Sequence, residues 1–193
     1  MTRKRITSAV TGALVLALAA GCTSNIGAPA APSSEQGALA YSANDIMFAQ
    51  MMIPHHQQAI ELSDMALEVS ESEDVLDLAQ RIKAGQDPEI EEMTRWLEQS
   101  GASSMMDGHD MGAHGMSGMV SEADLETLAS LASPEFDVMF LELMIAHHEG
   151  ALDMVSMIDN SANAEVRALA EAITVAQRAE IDEMKALLGV LGG

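Results

Sequence analysis

The chain has almost no cysteine, few aromatic rings and few positive charges, and each shortage narrows what it can be. Its single cysteine, Cys22, leaves no disulfide within the chain to hold a fold. Aromatic residues make up 3% of the sequence against 16 methionines, so the soft apolar bulk comes from thioethers rather than rings. Nine Lys and Arg stand against 30 Asp and Glu, a net charge of −21, which sets aside nucleic acid and anionic lipid surfaces as partners. Cations concentrate near such a surface. No nucleophile-and-base arrangement is present, and the glycine-rich stretch lacks the following helix that a phosphate-binding loop needs. An enzyme is therefore the less favoured class.

Long apolar runs are scarce too, with one exception. "MTRKRITSAVTGALVLALAAGC" begins with Arg3, Lys4 and Arg5, continues apolar over residues 6–20 and ends in small residues before Cys22. The run is short for a membrane span. Residues 1–21 read as a signal peptide, and "LAAGC" resembles a bacterial lipobox, with Ala19 where that pattern usually has leucine. The resemblance implies a lipid on Cys22 and a chain exported to the cell envelope, anchored to a bacterial membrane on its extracytoplasmic side. An ordinary secretory signal with an incidental cysteine is the alternative. Losing the leader removes three basic residues and no acid, leaving six against 30, a charge of −24. Residues 22–43, mostly Ala, Pro, Ser and Gly, form a flexible tether.

Four long helical patterns follow, over residues 44–190. Asn44 is placed to cap the first, running from 45 to about 69. The second spans about 73 to 98, with Gly101 after its end. Ser133 and Pro134 make a cap and first-turn pair for the third, which reaches about 159, and the fourth ends near Gly189. Residues 121–131 hold a short extra helix. The pattern repeats: Asp45, Met47, Phe48, Met52, Ile53, His55, His56, Ala59 and Met65 recur 92 positions later as Asp137, Met139, Phe140, Met144, Ile145, His147, His148, Ala151 and Met157. Gln86, Glu89, Ile90, Glu92 and Met93 recur 91 positions later as Gln177, Glu180, Ile181, Glu183 and Met184. Two helical hairpins of one kind, 44–99 and 121–190, should dock as an all-α four-helix bundle with pseudo-twofold symmetry.

The histidines are not scattered. All six fall at His55 and His56, His109 and His114, and His147 and His148, each place rich in methionine. On a helical wheel Phe48, Met51, Met52, Ala59 and Leu62 lie within about 60° of His55, which puts that imidazole at the middle of an apolar face, with His56 toward one edge. Phe140, Met144, Ala151 and Met154 surround His147 in the same way. On the facing helices Gln86 and Gln177 sit inside the apolar stripes, with Glu89 and Glu180 nearby, and such groups serve equally well as hydrogen-bond partners for structural histidines. Two symmetry-related imidazoles that converge on the bundle interior, with Met52 and Met144 three residues earlier, favour ligation by His55 and His147. Thioether is soft and neutral and suits Cu(I), while imidazole suits both copper states. Copper, with Cu(I) ahead of Cu(II), is therefore preferred to iron, and zinc has no cysteine to draw on. Pro54, whose counterpart is Ala146, should kink the first helix or free the Gln50 carbonyl beside His55.

Between the hairpins lies "GASSMMDGHDMGAHGMSGMV", residues 101–120, a disordered Met/His-rich insert with no helical period. It cannot pack as a core element, so a core explanation of its methionines fails. Met105, Met106, His109, Met111, His114, Met116 and Met119 can wrap a Cu(I) ion on such a segment, a labile arrangement suited to exchange.

"MMIPHHQQAIELSDMA", "FDVMFLELMIAHHEGALDM" and the "AQ...EI..M" helices together resemble the family called domain of unknown function 305 (DUF305), which includes CopM-like copper-resistance proteins. The resemblance covers residues 44–188. It implies a ferritin-like four-helix bundle outside the cytoplasm, copper as cofactor, and Met52, His55, His56, Met144, His147 and His148 as ligands, with Met51 beside them. The leading expectation is a lipid-anchored, extracytoplasmic protein that sequesters copper or passes it to a donor or acceptor protein. The alternatives are a metal-dependent oxidoreductase on the same kind of bundle, and a non-metal assembly module whose Met-rich faces bind a partner helix.

Overall fold

The first helix starts on a reciprocal pair of hydrogen bonds. The Asp45 backbone N–H donates to Ser42 Oγ at 3.2 Å, and the Ser42 N–H donates to Asp45 Oδ2 at 2.7 Å, a capping box that satisfies two donors at once. The cap is thus Ser42 rather than Asn44. In the computed structural model, which describes residues 41–104 and 116–191, this helix is α1, Ala43–Val69. It continues unbroken through Pro54, which removes one N–H from a helix whose inner face is held by packing against α2 and α4.

Ser72 caps α2, Glu73–Ser100, which ends as expected on Gly101 in the left-handed conformation, φ 69°. Ser121 caps the short α3, Glu122–Ala129. In α4, Glu135–Val155, Pro134 occupies the cap position without a side-chain bond, and Ser133 instead hydrogen-bonds the buried Asp137 carboxylate. The helix stops short of residue 159: beyond Val155 the Met157 and Ile158 N–H groups donate to the Met154 and Val155 carbonyls three residues back, and the chain tightens into turns. The last helix, α5, is Ala164–Leu191. Among the described residues there is no strand, and none of the helices is long and apolar enough to cross a membrane. The signal peptide, Cys22, residues 22–40 of the tether and residues 105–115 of the insert lie outside the described residues, while residues 42–43, read as the end of the tether, are the cap and first residue of α1.

α1 packs along α2 and α4 along α5, so the two hairpins form as the repeat predicts, and they meet chiefly through α1 and α4. The architecture is an all-α bundle of four long helices, with α3 laid against α4. Its core falls into two clusters. One joins Leu62 and Ala66 of α1, Leu78 and Ile82 of α2, Phe140 and Met144 of α4, and Met184 of α5. The other joins Phe48 and Met52, Met93 and Trp96, Met154, and Ile173. The late half of α1 thus shares a cluster with the early half of α4, and the reverse holds at the other end. The two helices run antiparallel, and a pseudo-twofold axis between them exchanges the clusters.

A layer of polar residues separates these halves. His55 lies between Met52 of one cluster and Ala59 of the other, and His147 between Met144 and Ala151. On α2 and α5, Gln86 falls between Ile82 and Met93, and Gln177 between Ile173 and Ile181. Apolar burial therefore holds the bundle above and below this layer.

Candidate metal centre

All four bundle histidines are fully buried. The His55 and His147 rings meet across the pseudo-twofold axis, with centroids 3.7 Å apart and planes inclined by 37°. The convergence expected from two separate helical wheels is therefore a direct contact. His56, toward the edge of that face, is buried as well. Its Nε2 donates to Glu89 Oε2 at 2.9 Å, and that carboxylate covers it. His148 does the same with Glu180 at 2.8 Å. The glutamates thus pair with the outer histidines and not with the central ones.

Burial, first, and then the neighbouring His56 push the His55 imidazole down to about 3, against a smaller opposing pull from the Ser117 backbone. His147 is held well below its ordinary value by burial, followed by His55, His148 and His56, with a weak opposing pull from the His55 backbone. Both rings are neutral at pH 7, the state in which imidazole nitrogen binds a metal.

Ring nitrogens are available. Neither nitrogen of His147 makes a hydrogen bond of ordinary geometry, and Nδ1 of His55, His56 and His148 is buried without a protein partner. Met52 and Met144, three residues before the central histidines, are fully buried at the inner margins of the two clusters. Met51 is half-buried beside Met52. Two imidazoles, flanked by a buried thioether in each neighbouring cluster, offer soft donors of the kind that suits copper. Among the described residues no three or more His, Cys, Asp or Glu converge as a metal site, so the carboxylate-rich di-iron arrangement finds no counterpart there. The central rings also touch.

Of the insert's candidates, Met116 and Met119 are described and half-buried, in a turn beside the layer. Met105, Met106, His109, Met111 and His114 lie outside the described residues.

Gln86 and Gln177 are buried, and both polar atoms of each amide lack a protein partner. Such groups are expensive. Replacing both by leucine should therefore stabilise the metal-free protein, by about 1 kcal/mol for each amide removed, because a leucine of similar volume needs no partner. Denaturant midpoints measure this, and a loss of stability would show that the amides are satisfied.

The residues that sequence reasoning missed are Gln58, Ser117, Gly118 and Gly150, which seat the end of the insert on the layer. Gln58 Nε2 donates to the Val120 carbonyl at 2.9 Å, and the Val120 N–H donates back to Gln58 Oε1 at 2.8 Å. Gly150 was readable, because a glycine inside a helical pattern costs about 1 kcal/mol against alanine and marks a packing or functional reason.

Solved structures resemble the chain over most of its length. The crystal structure of a DUF305 fragment from Deinococcus radiodurans is 35% identical, with a TM-score of 0.71, over 77% of this chain and 97% of that one. CopM in the Cu(I)-bound form is 32% identical, with a TM-score of 0.65, over 77% and 98%. CopM in the Cu(II)-bound form is 34% identical, with a TM-score of 0.65, over 75% and 95%. No protein with a curated description matches the chain. Residues 45–188 match the family described as "Domain of unknown function (DUF305)", and the chain is a member of that family.

Proposed function

We propose that this protein binds copper outside the cytoplasm, held to a membrane by a lipid on Cys22, and sequesters the metal or hands it to another protein. The observation that carries the reading is the contact of His55 and His147 across the axis between the hairpins, each three residues after a buried methionine and each with an unpartnered ring nitrogen. Solved forms of CopM with Cu(I), Cu(II) and Ag bound support copper as the metal. The thioethers favour Cu(I), because a soft neutral donor lowers the advantage of the divalent ion.

The central ligands in this reading are His55, His147, Met52 and Met144. His56 and His148 can add their Nδ1 atoms, with Glu89 and Glu180 fixing the opposite nitrogens and raising ring basicity. Met51, Met105, Met106, His109, Met111, His114, Met116 and Met119 are proposed as the labile, accessible ligands through which copper enters or leaves. Export and lipidation rest on the leader sequence that ends at Cys22.

An anaerobic Cu(I) titration of the chain from Ser24 onward, against a competing chelator, tests the reading. The wild type should compete for the ion, while a folded His55→Ala/His147→Ala variant should lose stoichiometry or affinity. A wild type that takes no copper from the chelator removes the proposal.

A further inference from the structure

The Ser117 carbonyl oxygen lies 3.1 Å from Nε2 of His55. A carbonyl only accepts, so Nε2 carries the proton and donates, and the neutral imidazole keeps its lone pair on Nδ1. That Nδ1 is buried and has no protein partner. A loop backbone atom thus decides which nitrogen of a core histidine is free.

Two glycines hold the carbonyl there. A Cβ on Gly150 would fall 2.1 Å from the Ser117 oxygen and 2.4 Å from its carbon. A Cβ on Gly118, whose φ is 81°, would fall 2.6 Å from the Ala146 oxygen and 2.9 Å from the His147 oxygen. The turn therefore lies on α4 at a separation that side chains forbid. The Gln58–Val120 pair and a 3.3 Å bond from Ser117 Oγ to Asp153 Oδ2 fix it from either side. Gln58 and Gly150 occupy equivalent positions in the repeat, 92 residues apart, so one copy grips the turn and the other makes room for it. His147 makes no corresponding bond at either ring nitrogen.

We infer that the turn at residues 116–120 positions the metal centre: seated through the Gly118–Gly150 contact, the Ser117 carbonyl fixes the His55 tautomer and assigns metal binding to Nδ1, while His147 keeps both nitrogens open. The inference deepens the copper reading through the identity of the ligand atom, and its first test needs no metal. Gly150 and Gly118 become positioning residues for a histidine neither of them touches.

Two-bond proton–nitrogen NMR of the metal-free protein, with histidine labelled in 15N, reads the tautomer directly. His55 should show the Nε2–H form alone, and an Nδ1–H form or an even mixture in the wild type would overturn the inference. In Gly150→Ala the added methyl, on a helix α4 that otherwise prefers alanine, should lift Ser117 away, and His55 on α1 should then populate both tautomers. A folded Gly150→Ala protein that keeps the pure Nε2–H form overturns it equally. Should that variant fail to fold, Gln58→Ala frees Val120 from α1, and an unchanged His55 spectrum there counts against the inference. Copper competition adds a second readout. Gly150→Ala should bind Cu(I) about 10–100-fold more weakly, the usual loss when the partner of a ligating histidine is removed, and undiminished affinity would deny the positioning role. A wild type that binds no copper removes the proposed function and leaves the tautomer result standing.

Discussion

Between pH 7 and pH 5 the metal-free protein should lose at least about 2 kcal/mol of stability that a His55→Leu/His147→Leu variant keeps. Both central imidazoles are depressed below their ordinary 6.5, His55 to about 3 and His147 well below 6.5. The unfolded chain takes up these two protons as the pH drops past 6.5, and the folded chain does not. Their contribution is therefore whole above pH 6.5 and falls steadily as the pH drops below it, for His55 down to about pH 3. At pH 5 His55 alone accounts for about 2 kcal/mol, and His147 adds to it in the same direction, a large share of a typical stability of about 5–15 kcal/mol. The many carboxylates titrate as well, which is why the leucine variant is the reference. Urea midpoints at both pH values give the difference, and parallel curves for the two proteins would show that the rings are already charged or hydrated in the fold.

Met52 and Met144 answer a second question, whether a buried thioether here is packing or ligand. Met52→Leu/Met144→Leu should change stability by less than about 1.5 kcal/mol per site, because volume and apolarity are nearly conserved. Alanine at the same fully buried positions should cost about 2–5 kcal/mol each. Leucine removes the sulfur, so Cu(I) affinity should fall on the order of 100-fold, near 3 kcal/mol, in a protein whose fold is intact. Thermal unfolding and chelator competition on the same sample separate the two effects. Wild-type affinity in the leucine variant would assign these methionines to the core alone and leave the imidazoles as the bundle's ligands.

Much of the bundle is legible in the sequence because the hairpins are repeated and strongly periodic. The match of Asp45 through Met65 with Asp137 through Met157 implies two like units, and the apolar neighbours of His55 and His147 turn both rings inward. The first cap was also readable, as Ser42 followed three residues later by Asp45, but Asn44 stands closer to the apolar pattern and drew the assignment. The full burial of His56 was missed for a different reason. A helical wheel knows one helix, and the covering Glu89 arrives from another. The Ser117 carbonyl had no signal of its own, because every residue carries that oxygen and only tertiary packing chooses which one meets His55.

The axis that relates the hairpins passes between His55 and His147, so neither hairpin alone contains the pair. Sequence change on either side is felt at the same point. Two separate copies of one hairpin would be bound to change together, whereas halves joined in one chain can drift apart. They have done so around the shared pair, at Pro54 against Ala146 and at Gln58 against Gly150. One imidazole consequently answers to a carbonyl of the joining segment while the other does not. Duplication supplies the equality of the two rings, and the joining segment is what makes them different.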